Sequence, residues 1–173
     1  YRATCDFGAA MSVPEARLLS LINWARQNPL GAAAQMGMDP NKILADFPEW
    51  QEMLTQGLSP LAANGKLLKA ARLHAGEMLA NGYYSHVSLD GRTYADRIRE
   101  AGYDALDAGE YIKIQCLGHD FAGDDAVIDR QVGAMFEYFL LRELTPGNAS
   151  PRYILNPGLT EAGIGIVAGV SAE

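Results

Sequence analysis

The chain has 173 residues, 49% of them hydrophobic and 20% charged, and a formal net charge of −7. That length fits one domain around a single core, and the composition excludes disorder and, with no long apolar run, a transmembrane helix. No Lys/Arg cluster is longer than a pair, so electrostatics disfavour nucleic acid and anionic membrane surfaces as partners.

Residues 1–11 carry no periodicity and read as an N-terminal arm, leaving 12–173 as a single domain. Ser12 with Glu15 three residues later forms a capping box, and the helix it opens runs to about Gln27 with Leu18, Leu21, Ile22 and Ala25 on one face. Asn28-Pro29, Asp39-Pro40 and Phe47-Pro48 each pair a cap with a proline, predicting short helices before Gly57. Asn64 then caps a longer helix with Leu67, Leu68, Ala71, Ala75, Met78 and Leu79 at helical spacing, ended by Asn81-Gly82. Thr93 and Asp96 box a second short helix that stops at Gly102. Residues 110–116 (EYIKIQC) alternate like a half-buried strand, and the Gly- and Asp-rich 117–125 is a loop. From Asp124 an apolar face (Val127, Ile128, Val132, Met135, Phe136, Phe139, Leu140) predicts a helix to Leu144. A single turn is expected over 152–156 and a Gly-punctuated strand over 162–170. Helices and strands in irregular order point to an α+β fold.

Chemistry-bearing residues are few. His74 and Glu77 stand i to i+3 on one helix face, a spacing that can present two ligands to one ion, although His74 also falls in the apolar stripe of its helix. Cys5 and Cys116 lack metal-ligand spacing; one disulfide and two separate thiols both fit them. Asp120, Asp124 and Asp125 lack the ligand spacing of an EF-hand loop and read as a turn plus a helix cap. No nucleophile motif of the G-x-S-x-G kind is present.

Several separated strings, in one order, carry a resemblance: LLSLINWARQNP (18–29), NGKLLKAARLHAGEMLANGYYSHVSLDGRTYADRIREAGY (64–103) with Gly109-Glu110 after it, and ILNPGLTEAGIGI (154–166). Together they resemble the bacterial branch of the CAP superfamily, the SCP-like or cysteine-rich secretory protein type domain. The resemblance implies a three-layer α-β-α sandwich. This chain departs from it in residues 30–60, which read as a helical insertion, and after the GIGI-like strand, where relatives add one more and either a shortened chain or a reduced sheet fits. The resemblance also implies an extracellular or cell-envelope location, the numbering then beginning after a processed leader.

Such domains typically set two His and two Glu around a cleft that can hold a divalent metal such as zinc. By motif, His86 and Glu110 match one His and one Glu, with Tyr111 where the usual motif has Asn. The second His is absent: Pro146-Gly147-Asn148 stands in its place, with Ser150 the other position by spacing. Glu137 or Glu143 can supply the second Glu, and His119 a replacement ligand. This incomplete tetrad implies a non-enzymatic cleft for a small apolar ligand, a peptide or a partner protein. A metal-assisted hydrolase using His86 and Glu110, and a structural or adhesive envelope module, are the alternatives.

Overall fold

The computed structural model describes residues 10–115, 124–149 and 151–169. Cys5, Cys116, His119, Asp120 and Ser150 therefore lie outside the described residues, and with them the choice between one disulfide and two thiols. The elements run α1 (Val13–Gln27), α2 (Pro29–Gln35), α3 (Pro40–Asp46), a 3-10 turn (Pro48–Trp50), α4 (Gln51–Gln56), β1 (Ala62–Ala63), α5 (Gly65–Asn81), α6 (Tyr94–Glu100), α7 (Asp125–Glu143) and β2 (Glu161–Ala162). This is an α+β fold in which helices dominate and, among the described residues, β1 and β2 form one short parallel pair.

The caps sit where the sequence puts them except at Phe47-Pro48, where Phe47 makes no side-chain cap bond and Pro48 opens a 3-10 turn. Ser12 Oγ and the Glu15 carboxylate exchange bonds with each other's backbone at the start of α1. The side chains of Asn28, Asp39, Asn64 and Asp124 each accept a backbone N–H of the helix they open. Thr93 and Asp96 close a full capping box on α6. These short polar side chains satisfy donors that a helix start leaves without intrahelical partners.

Two compact units partition the described residues, each assembled from discontinuous segments: 10–16, 62–114 and 161–169 in the first, 17–61, 115, 124–149 and 151–160 in the second. The first is organised on α5, which buries Leu68, Ala70, Arg72, His74 and Met78. Residues 163–169 run extended along it in the same direction. A Cβ on Gly163 would lie 2.1 Å from the Leu67 carbonyl carbon, one on Gly165 2.4 Å from that of Ala71, and one on Gly169 3.0 Å from Leu79. Two extended residues and four helical ones both advance the chain about 6 Å, so alternate glycines meet successive helical turns. Only hydrogen fits at 163 and 165. Glu161 fixes the start of this segment, its carboxylate accepting from Asn64 Nδ2 at 2.9 Å and from the Tyr103 hydroxyl at 2.6 Å. Beneath it, Glu15 is 1% exposed and receives two bonds from the Arg72 guanidinium.

The second unit buries Val132, Phe136, Phe139 and Leu140 of α7, with Trp24 of α1 tilted against Phe136 at 6.4 Å between ring centroids. The helices between residues 29 and 56 pack on one another. Two buried charges tie its loops. Arg26 donates to the carbonyls of Ser59, Ile154, Asn156 and Leu159, and the Glu143 carboxylate accepts the backbone N–H groups of Tyr153, Ile154 and Leu155. Each is satisfied by backbone, which is what lets a charge stay buried.

Two expected strands differ from what forms. Residues 110–115 make no strand: Tyr84 Oη donates to the Ile112 carbonyl at 2.8 Å and the Glu110 side chain is tied back to α6, so side chains hold the segment. Only Glu161–Ala162 of the C-terminal run pairs as a strand, because the residues after it lie against α5.

Candidate functional site

The first unit gathers four of the chemistry-bearing residues. Asn81-Gly82 ends α5, with Gly82 in the left-handed conformation, and the chain turns back so that residues 83–92 form a loop. His74, deep in α5, points its Nε2 at the Ser85 carbonyl at 2.9 Å. A carbonyl only accepts, so that nitrogen carries a hydrogen. Its Nδ1 faces Ser88 Oγ at 3.4 Å and Glu77 Oε2 at 3.6 Å, and the Tyr83 ring packs edge-on against the imidazole. The side chain is 2% exposed. His74 thus pins the loop to its helix, as its place in the apolar stripe suggests.

Glu77 belongs to the same polar core. It accepts from Ser88 Oγ at 2.9 Å and from the Leu89 N–H at 3.3 Å. Burial would raise its pKa, but these donors outweigh burial and hold the carboxyl below its ordinary range. The Ser88 hydroxyl, 3% exposed and donating to Glu77, is not placed to act as a nucleophile.

His86 follows Ser85 in the same loop but is open to solvent, its side chain 56% exposed. Its Nδ1 meets Glu110 Oε2 at 2.8 Å, so Nδ1 carries the hydrogen and, in the neutral ring, Nε2 bears the lone pair. The other oxygen of Glu110 accepts from Arg97 Nη2 at 2.6 Å. Arg97, in the last turn of α6, is buried; its Nη1 reaches the carbonyls of His86 and Arg92 at 3.1 Å and Ser88 Oγ at 3.3 Å. Two His–Glu pairs therefore flank one arginine, His86–Glu110 directly and His74–Glu77 through Ser88.

Both motif-matched residues, His86 and Glu110, come together, and His74 and Glu77 lie on the same network. Glu137 and Asn148 belong to the second unit, where Glu137 is exposed on α7 and Asn148 donates to the Arg142 carbonyl at 3.0 Å. Glu143 is used up by the loop it caps. Arg97 and Ser88 are the members that sequence reasoning missed. Arg97 and Arg99 flank Ile98 and read alike as surface charge, yet one is buried and the other exposed.

A structural or catalytic zinc takes three or four N, O or S donors. Among the described residues no group of three His, Cys, Asp or Glu side chains converges. Both Glu110 oxygens already accept strong donors, which leaves His86 Nε2 as a lone outward ligand. Among the described residues this donor set does not fit a zinc site; His119, the expected replacement ligand, lies outside them.

No helix among the described residues is long and apolar enough to cross a membrane. No curated protein and no solved structure is significantly similar to the chain. A family model described as CAP, cysteine-rich secretory protein family, matches residues 19–169, which takes in α5, α6 and the whole His86–Glu110–Arg97 network. The chain belongs to the CAP, or cysteine-rich secretory protein, family.

Proposed function

We propose that this is an exported CAP domain that binds a small, mostly apolar ligand at the His86 edge and carries out no chemistry of its own. The observation that carries the reading is the state of Glu110, whose two oxygens are engaged by His86 and Arg97. A carboxylate held that way is a poor general base and a poor metal ligand, but it orients an imidazole well. Around His86 the loop exposes Tyr84, Val87 and Leu89, three large apolar side chains within a few residues of one polar acceptor. That mixture suits a ligand of apolar body with one O–H or N–H group aimed at Nε2. Export is supported by the secretory character of the family.

An adhesive role for the segment near 30–60 gains no support, since no large apolar side chain there is exposed.

The test is histidine-selective NMR with two probes of equal chain length, 1-decanol, which can donate, and decanoate, which cannot. Decanol should shift the His86 ring signals and bind at least about fivefold more weakly to His86→Ala, consistent with loss of one hydrogen bond. Equal binding of decanol to wild type and His86→Ala, or a preference for decanoate, would overturn the reading.

A further inference from the structure

We infer that Arg97 is a positioning residue that, through Glu110, fixes the neutral His86 imidazole in the Nδ1–H form and leaves the Nε2 lone pair facing solvent. The inference deepens the binding role proposed for His86 and rests on it only for its consequence, not for its test.

One guanidinium holds both ends of the His86–Glu110 bond. Its Nη2 grips Glu110 Oε1 at 2.6 Å, and its Nη1 donates to the His86 carbonyl at 3.1 Å. The first contact sets where the carboxylate stands, and the second sets where the backbone of the imidazole stands. With both fixed, the nitrogen nearer the backbone, Nδ1, is the one that reaches Glu110 Oε2, at 2.8 Å. Arg97 can do this because its planar fork offers several donors in a rigid geometry and because burial restricts it. The Arg92 carbonyl and the Ser88 hydroxyl, at 3.1 and 3.3 Å, also accept from Nη1 and hold that end of the fork in place.

The network thus selects one of the two tautomers open to a neutral histidine ring. The consequence is a surface that accepts hydrogen bonds. A neutral ligand with an O–H or N–H group is matched, whereas a ligand whose only polar group is an acceptor would face a lone pair. Arg97 therefore sets the class of ligand without touching it.

The tautomer is read directly from ¹⁵N chemical shifts of labelled histidine at pH about 9, where imidazole is neutral. No ligand is needed, so failure of decanol to bind and failure of this inference are separate results. Wild type should show His86 as Nδ1–H. Arg97→Gln should move the ratio roughly tenfold toward Nε2–H, in keeping with loss of a charge-assisted clamp. Glu110→Ala should move it at least as far. Ser88→Ala, which removes a different contact of Arg97, should leave it unchanged, and this separates positioning from loop stability. Should Arg97→Gln not fold, Arg97→Lys keeps the charge but loses the fork and should give a mixture. An Nε2–H signal for His86 in wild type, or an unaltered ratio in a folded Arg97 variant, overturns the inference.

Discussion

The imidazole of His86 and the carboxylate of Glu110, 24 residues apart in sequence, meet at 2.8 Å on the first unit, one exposed and the other mostly covered. Their asymmetry has an energetic consequence. Glu110 also neutralises the buried Arg97, whereas His86 only leans on Glu110. Removing Glu110 strands a buried cation; removing His86 frees one carboxylate oxygen to water. Glu110→Ala is expected to cost about 3 kcal/mol of unfolding free energy and His86→Ala less than about 1. Chemical denaturation of the two variants checks the order, and a larger loss in His86→Ala would contradict it.

Glu15 provides the acid sensitivity. Burial would raise its pKa, but the Arg72 guanidinium, Ser12 and the Ile166 N–H bond its charged form and lower it overall. The folded value therefore lies below the unfolded one. The stability it lends is complete above the ordinary carboxylate pKa of about 4.5 and is lost as pH falls through the lower folded value. Thermal melting scanned from pH 7 down to about 3 should show a steep loss below about 4.5 in wild type. Glu15→Gln should start less stable and show a shallower loss there; identical slopes would remove Glu15 from the account.

Glycines test the packing on α5. A methyl group at 163 or 165 would strike helix backbone, at 2.1 and 2.4 Å, and nothing there can rotate away. Gly163→Ala and Gly165→Ala should each cost about 3 kcal/mol. Gly76 in α5 and Gly133 in α7 have open space around the added carbon, and alanine is the better helix former. Gly76→Ala and Gly133→Ala should stabilise by about 0.5 to 1 kcal/mol. Opposite signs in one melting series are the expected result.

In the second unit, Arg26 is 2% exposed and serves four carbonyls. Arg26→Leu replaces its bulk but leaves those acceptors, and Glu143 nearby, without their cation. A loss of about 3 to 5 kcal/mol is expected by urea denaturation. A loss under about 1 kcal/mol would mean that water serves the carbonyls equally well.

Local signals were legible in the sequence and long-range polar ones were not. The starts of α2, α3, α5, α6 and α7 follow from Asn28, Asp39, Asn64, Thr93 and Asp124, because a cap acts on backbone two or three residues away. Likewise the motif brought His86 and Glu110 together. The role of Arg97 was hidden because its partners lie 5 to 13 residues off in loops without periodicity. Glu15 reads as a cap and is one, yet its bond to Arg72 spans 57 residues, a distance over which pattern carries no information. The alternation of 110–115 suggested a strand, but a strand also needs a ladder partner, and here Arg97 and Tyr84 anchor the segment through side chains.

The measurement that bears most directly on the central claim is calorimetric titration of zinc into metal-stripped protein, with His86→Ala and Glu110→Ala run beside it. With each Glu110 oxygen already accepting from His86 or Arg97, wild type should give no stoichiometric binding tighter than about 0.1 mM, and the variants should behave alike. Tight one-to-one binding that both substitutions abolish would contradict the account and make the pair a metal centre.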